Sequence, residues 1–180
     1  DFVFANIERK NRIEPNLQEI KDQGYVKMDF DGNVVNQFWL SDHLDDFRRH
    51  KPLGTLTSQM QDYGFDPFHL NDVEVAVFST SHTSPIDSGD IFLSIRHFNC
   101  IAQIRHDSII RIIQGDFNQQ HDVDIINDSV ISISNNNSAG FHANLENFNS
   151  NIIHYNLATK SEEVLYDSIG FATYTEGQVQ

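Results

Sequence analysis

Two histidines, each followed closely by an aspartate and an apolar run, are the residues of this chain most suited to chemistry. Residues 68–75 read FHLNDVEV and residues 119–126 read QQHDVDII. A neutral imidazole is a good nucleophile near pH 7. His69 and His121 could therefore carry a reaction, or they could hold neighbouring loops by hydrogen bonds. Their similar surroundings suggest that they mark one position in a repeated unit.

The bulk composition excludes several classes of protein. The chain has 180 residues, enough for one domain with a sizeable core, and a formal charge of −14. No basic patch offsets this charge, so nucleic-acid binding is not expected. The single cysteine, Cys100, excludes an intrachain disulfide and a cysteine-based zinc site, and its apolar neighbours predict burial. No segment reaches the ~18 apolar residues of a membrane span.

The pattern of apolar residues in the first forty positions is that of strands. Residues 2–7 alternate, and the polar stretch 8–24 reads as a long loop. Residues 25–40 then read as two short strands joined by Asp31-Gly32-Asn33, which strongly favours a hairpin turn. The same turn resembles the start of a calcium loop but lacks the later bidentate glutamate, so a hairpin is the better interpretation.

A short helix is expected near residues 42–50. Leu44 and Phe47 are three apart and would share one face, and Ser41 would cap the N-terminus. This helix opens a predicted helical insertion over residues 41–64. From about residue 68 onwards the chain reads only as strand and turn.

The strands of the later part fall into a repeat. One unit runs through HLNDVEVAVF, GDIFLSIR, CIAQIR and SIIRIIQG, and the next through QHDVDII, DSVISISN, NIIHYNL and EEVLYDS. His69 and His121 are 52 positions apart, close to the ~40–50 residues of a four-stranded propeller blade. The sequence therefore predicts an all-β fold, a β-propeller of four-stranded antiparallel blades. A β-sandwich of short strands explains the strand content equally well, but it does not explain the repeat.

About three blades fit in the chain as a single domain, a partial propeller. Their predicted bounds are residues 1–40 for a partial first blade, 68–115 for the second, 119–168 for the third and 171–180 for the start of the next. Propellers need four to eight blades to protect their strand edges. We therefore expect missing blades from elsewhere, or self-association through an exposed blade edge.

Five motifs follow one another along the chain: VKMDFDGNVVNQFWLSDHL at 26–44, HLNDVEV at 69–75, SGDIFLSIRHFNCIAQI at 88–104, QGDFNQQHDVDII at 114–126 and SISNNNS at 132–138. In this order they resemble the bacterial arylsulfotransferases, β-propeller enzymes also called aryl-sulfate sulfotransferases. The resemblance covers most of residues 24–180, and the order of the motifs carries it because each motif is short.

The resemblance implies ping-pong transfer of a sulfuryl group from a phenolic ester to another phenol, through a sulfated histidine and without a cofactor. It makes His69 and His121 the catalytic candidates, facing one central cavity. It makes Asn71 and Arg96 candidates for binding the sulfate oxygens. The implied partners are a small-molecule aryl sulfate and a phenol, and the implied compartment is periplasmic or extracellular.

Two departures from the family pattern bear on activity. Ser138-Ala139-Gly140 stands where active members carry an arginine, and Val179 stands where a further histidine is expected. The second hypothesis is therefore a non-catalytic propeller module that binds a partner or a small anion. A third is a metal-dependent hydrolase with Asn71, Asp72 and Asp124 around a divalent ion.

The candidates also have ordinary structural interpretations. Arg96 can pair with one of the many acidic residues, and Asn71 can be a turn residue. The remaining histidines show no HExxH or other paired ligand spacing, so no metal site is predicted from them. His97 and His106 flank a pair of strands and are expected to be exposed.

Overall fold

The computed structural model describes residues 2–12, 19–50, 65–77, 84–137 and 150–166. This part of the chain contains eleven strands: β1 (Val3–Asn11), β2 (Ile20–Met28), β3 (Val34–Trp39), β4 (Leu70–Val75), β5 (Ile91–Ile95), β6 (Cys100–Arg105), β7 (Ser108–Ile113), β8 (Val123–Ile125), β9 (Val130–Asn135), β10 (Asn151–Asn156) and β11 (Ser161–Tyr166). A 3-10 helix, Leu40–His43, leads into α1 (Leu44–His50), and a second 3-10 helix covers Arg96–Phe98. Residues 51–64 of the predicted insertion and the predicted fourth blade start at 171–180 lie outside the described residues.

The strands form three antiparallel sheets in chain order. The first sheet contains β1, β2 and β3, the second contains β4 to β7, and the third contains β8 to β11. Within each sheet, consecutive strands pair with one another in antiparallel order. The all-β class is thus confirmed, and each four-stranded sheet holds the four segments that were predicted to form one unit.

The first sheet extends further into polar sequence than its apolar pattern indicates. β1 continues to Asn11 and β2 already begins at Ile20, so the prediction of a loop over 8–24 is wrong at both ends. Buried Asp22 accounts for part of this extension, because its carboxylate accepts a hydrogen bond from Arg9 Nε at 2.8 Å. Charge pairing across the strands replaces the apolar contacts that a hydropathy pattern detects.

The hairpin turn between β2 and β3 is confirmed. Asp29 Oδ1 accepts the backbone N–H groups of Asp31 at 3.0 Å and Asn33 at 2.8 Å. Gly32 has a φ of 83°, a left-handed conformation that glycine adopts without strain. The amide of Asn33 donates to the same carboxylate and, as the largest cause, lowers the pKa of Asp29. The Asp29 carboxylate, which a calcium loop would use as a ligand, therefore accepts hydrogen bonds from its own turn.

The short helix predicted near 42–50 is present as α1, but its start differs from the prediction. Ser41 lies in the preceding 3-10 helix, where its hydroxyl donates to Asp22 Oδ2 at 2.6 Å and its N–H to Oδ1 at 3.1 Å. The assignment of Ser41 as the N-cap is therefore wrong, because Asp22 engages its hydroxyl. Leu44 and Phe47 are both buried and belong to one apolar cluster, as predicted.

The second sheet is buried on both faces. Ile91, Leu93 and Ile95 of β5 pack in one apolar cluster with the first sheet and α1, whereas Phe92 packs in another with the third sheet. Successive residues of a strand point to opposite faces, so the three sheets stack in chain order. A two-sheet sandwich has no sheet covered on both faces. Cys100 is buried in the first cluster, as predicted.

The pairing at the ends of the sheets positions the candidate residues. Leu70 pairs with Ile95, so the residues before β4 lie beside those after β5. Val123 pairs with Ile133 in the same way at the start of β8. β4 and β8 are edge strands of their sheets and lie next to one another. The segments that carry the two histidines therefore enter adjacent sheets at corresponding ends.

Candidate active site

His69 directly precedes β4 and is held by Asp66. Its φ is 52°, a left-handed value that His, Asn and Asp adopt more readily than most residues. Asp66 Oδ1 accepts the backbone N–H of His69 at 3.2 Å, and Oδ2 lies 2.8 Å from Nδ1 of the ring. An ionised carboxylate can only accept, so Nδ1 carries a proton. In the neutral ring the lone pair is then on Nε2.

Asp66 is ionised in spite of partial burial. Burial alone would raise its pKa, but the hydrogen bond from His69 and the charges of His69 and Lys21 outweigh it and hold the pKa below its usual range. The ammonium of Lys21, on β2, lies 3.9 Å from Asp66 Oδ2. The carboxylate is therefore in its acceptor form at neutral pH.

Arg96 directly follows β5 and lies against the other ring nitrogen of His69. Its Nη1 is 3.5 Å from His69 Nε2, and its Nη2 donates to Gln119 Oε1 at 3.2 Å. The residue is only 7% exposed, and its backbone N–H donates to the carbonyl of His69 at 3.1 Å. A guanidinium fork beside an imidazole, with little solvent to screen it, can bind the oxygens of an anion.

His97 belongs to the same cluster, and the prediction that it is exposed is wrong. Its ring centroid is 4.6 Å from that of His69, and its Nδ1 donates to the carbonyl oxygen of Asp66 at 2.8 Å. The 3-10 helix after β5 turns His97 inward, where its N–H bonds the carbonyl of Phe68. Burial, the largest cause, lowers the pKa of His97 to about 4, so the ring is neutral at pH 7. His106 is exposed, as predicted.

His121 lies just before β8 and joins this cluster through its neighbours. Gln119 contacts Arg96, and the carbonyl of Gln120 accepts a hydrogen bond from Asn71 Nδ2 at 3.1 Å. Asn71 is therefore a strand residue that ties β4 to the segment before β8, and its interpretation as a turn residue is wrong. The structure brings His69 and Arg96 into direct contact, and it links Asn71 and His121 to them through the two glutamines.

The two histidines do not occupy the same position of their sheets. Val73 pairs with Leu93 in the second sheet, as Val123 pairs with Ile133 in the third. His69 lies four positions before Val73, whereas His121 lies two positions before Val123. A bulge in β4 takes up one of the two additional residues.

Beyond the cluster of His69, Arg96 and His97, acidic side chains lie along β4 and β8. Burial, and then repulsion from Asp122, raises the pKa of Asp72 to about 6. Burial and the charge of Asp72 raise the pKa of Glu74 to about 7, and burial with Asp122 also raises that of Asp124. Asp72 Oδ2 accepts the N–H of Val123 at 3.3 Å, which joins the two strands. An anionic ligand is therefore favoured at the Arg96 end and repelled further along.

Within the described ranges, no group of three or more His, Cys, Asp or Glu side chains is arranged to hold a metal ion. Two residues of the metal hypothesis bond to the backbone near β8. Asn71 donates to the carbonyl of Gln120, and Asp72 accepts from the N–H of Val123. The structure therefore offers no support for the metal-dependent hydrolase.

Asp72→Asn is expected to stabilise the protein at pH 8 by about 1–2 kcal/mol relative to wild type, after a discount for partial solvent screening. The folded-state pKa of about 6 lies above the ordinary 3.8, so ionisation of Asp72 opposes folding. This penalty begins above about pH 4, is complete above about pH 6, and is absent below both values. Urea unfolding at pH 4 and pH 8 measures it. The exposed Asp31→Asn should show no such difference, and an equal effect of Asp72→Asn at both pH values would contradict the prediction.

Sequence reasoning missed Asp66, His97 and Gln119. Asp66 lies three positions before His69, a spacing at which a turn brings side chains together, and this was the only available signal for it. His97 follows Arg96 without any pattern that distinguishes it from an exposed residue. Gln119 belongs to the QQHD motif, in which only His121 was assigned a function.

The family model described as Arylsulfotransferase (ASST) matches residues 7–180. The chain belongs to the arylsulfotransferase family. Searches of curated proteins and of solved structures give no significant match. Family membership supports an arylsulfotransferase-like function with small-molecule substrates. The two departures from the family pattern, at Ser138-Ala139-Gly140 and Val179, lie outside the described residues.

Among the described residues, no helix has the length and apolarity needed to cross a membrane.

Proposed function

We propose that the three sheets are consecutive blades of a β-propeller and that the inner strands β4 and β8 carry a sulfuryl-transfer site. The stacking of the sheets in chain order, with the second one buried on both faces, supports this architecture. Membership in the arylsulfotransferase family supports it as well. In this proposal further blades, from a longer chain or from other copies, complete the ring.

The proposed reaction moves a sulfuryl group from a phenolic sulfate ester to a phenol. A histidine nitrogen attacks sulfur, so that an N–S bond forms while the S–O bond to the first phenol breaks and its phenolate leaves. The acceptor oxygen then attacks the same sulfur, the N–S bond breaks, and the proton of the acceptor passes to the phenolate or to water. The histidine returns unchanged, and no nucleotide is consumed.

The observation that carries this proposal is the contact of His69 with both Asp66 and Arg96. Asp66 holds the proton on Nδ1, which leaves a nucleophilic lone pair on Nε2, 3.5 Å from Arg96 Nη1. Arg96 would bind the sulfuryl oxygens, and the second hydrogen of the Asn71 amide offers another donor. Hydrogen-bond donors that are already in position before the reaction usually contribute most to stabilising charge in the transition state.

His121 is the second candidate nucleophile. It lies next to Gln120, which Asn71 contacts, and one residue from Gln119, which Arg96 contacts. In a two-histidine site one imidazole would carry the sulfuryl group while the other binds its oxygens. The contacts of His69 support either role, so the nucleophile is left to experiment.

The test is the intact mass of the protein after brief incubation with 4-nitrophenyl sulfate, together with release of nitrophenol. We expect wild type to gain the mass of one sulfuryl group. Of the two variants His69→Asn and His121→Ala, the one that lacks the nucleophile should not gain it. Asparagine is chosen at position 69 because it tolerates the φ of 52°. His106→Asn is the matched control, since His106 is exposed and has a φ of 49°.

Loss of the adduct in one variant, with the His106 variant unaffected, would identify the nucleophile. Absence of both adduct and nitrophenol release from a folded wild-type sample would refute the enzymatic function for this chain. The non-catalytic propeller module that binds a small anion would then be favoured over the sulfotransferase.

A further inference from the structure

We propose that Asp66 is a positioning residue that fixes the His69 ring in one orientation and one tautomer, with the lone pair of Nε2 directed at Arg96. Its importance for catalysis rests on the proposed sulfuryl transfer. The tautomer itself is a property of the folded chain and can be measured without any reaction.

The carboxylate of Asp66 holds His69 at two points. Oδ2 lies 2.8 Å from the ring Nδ1, and Oδ1 accepts the backbone N–H of the same residue at 3.2 Å. One group therefore fixes both the ring and the left-handed backbone from which the ring projects. A side chain held at its base and at its tip has little freedom to turn its reactive nitrogen elsewhere.

Asp66 is in turn fixed from two other parts of the fold. The ammonium of Lys21, on the first sheet, lies 3.9 Å from Oδ2, and Nδ1 of His97 donates to the Asp66 carbonyl at 2.8 Å. The side chain of Asp66 is 15% exposed, so water competes weakly for the carboxylate. His97 and Lys21 thus hold the residue that holds His69, and a support of this kind is what a precise site requires.

The orientation has a direct consequence at Nε2. Arg96 Nη1 carries only N–H donors, and it lies 3.5 Å from Nε2. With the proton on Nδ1, Nε2 is an acceptor that matches this donor. With the proton on Nε2, two donors would oppose one another and Nδ1 would present a lone pair to a carboxylate. Both mismatches favour the tautomer with the lone pair on Nε2. For Nε2 to attack sulfur, the Arg96 N–H would pass from this lone pair to the sulfuryl oxygens.

The experiment is NMR of ¹⁵N-labelled protein at alkaline pH, with long-range ¹H–¹⁵N correlations that distinguish the two ring nitrogens of each histidine. The His69 signals are assigned by their absence from the His69→Asn spectrum. In wild type we expect the proton on Nδ1 of His69. Asp66→Ala should weaken this preference, because only the Arg96 contact then favours it. Asp66→Asn should keep it, because the asparagine amide retains an acceptor oxygen of the same reach.

The chain offers a matched control in another Asp–His pair of the same spacing. Asp46 Oδ2 lies 3.4 Å from Nδ1 of His43, so Asp46→Ala should change the His43 signals and leave those of His69 unchanged. A wild-type His69 with its proton on Nε2, or an Asp66→Ala protein with the same tautomer population as wild type, would overturn the proposal. If Asp66→Ala does not fold, the wild-type tautomer and the Asp66→Asn spectrum still decide it.

The kinetic readout separates this proposal from the proposed function. Asp66→Ala is expected to slow formation of the sulfated protein at least ~10-fold, and Asp66→Asn less. If the tautomer depends on Asp66 but wild type never forms the adduct, the positioning role stands and sulfuryl transfer fails. If the adduct forms equally fast in all three proteins, the positioning role is refuted and sulfuryl transfer stands.

Discussion

Arg96→Gln is expected to slow nitrophenol release from 4-nitrophenyl sulfate by about 10²–10³-fold, as is typical when a buried donor to a charged transition state is removed. Glutamine keeps a polar side chain of similar reach but removes the positive charge. Arg96 is 7% exposed, and its guanidinium lies between His69 and Gln119. In the proposed reaction this charge stabilises the sulfuryl group during transfer, in a site with little water to screen it.

The design distinguishes this role from a loss of folding. Arg49→Gln removes the same charge from a side chain that is 74% exposed on α1, and it should change the rate less than about twofold. Arg96→Lys should recover only part of the activity, because lysine keeps the charge but lacks the planar fork. Steady-state kinetics with matched circular dichroism spectra would measure these effects. A folded Arg96→Gln protein that retains wild-type kcat/KM would show that Arg96 does not contact the sulfuryl group.

Phe92→Ala is expected to lower the free energy of unfolding by about 3–5 kcal/mol. Phe92 is fully buried and belongs to the apolar cluster between the second and third sheets. Its removal leaves a cavity at this contact, because the strands around it are held by their ladders and cannot close the space. The loss is a large part of the stability of a typical domain.

Urea unfolding with a matched control tests the stacking of the sheets. Phe30 is 73% exposed in the turn between β2 and β3, so Phe30→Ala should cost less than about 0.5 kcal/mol. A cost below about 1 kcal/mol for Phe92→Ala would mean that the second and third sheets do not pack through this side chain. That result would also remove the main support for consecutive propeller blades.

The order of strands and turns was predictable because it depends on neighbours in the sequence. Alternation of apolar residues reports a half-buried strand directly, and Asp31-Gly32-Asn33 supplies the left-handed glycine that the turn requires. The four segments of each repeat became the four strands of one sheet for the same reason. Polar strands escaped this reasoning: β1 continues to Asn11 because of partners such as Asp22 and not because of apolar residues.

The candidate site was predictable only in part. His69, Asn71, Arg96 and His121 were named from the repeat and from the family resemblance, and the structure places His69 beside Arg96. The bulge between Leu70 and Asp72, which helps to set the position of His69, was not predictable, because no pattern in the sequence fixes a bulge in advance.

The sequence by itself determined the all-β class and the membership in the arylsulfotransferase family, because both depend on residue types in a linear order. Only the tertiary structure decided that His97 is buried, that Asp66 holds His69, and that Arg96 reaches Gln119 across 23 positions. These contacts join residues from different sheets or from the segments between strands. The burial and charge of a polar side chain depend on which distant groups the fold brings against it, and local periodicity contains no information about that choice.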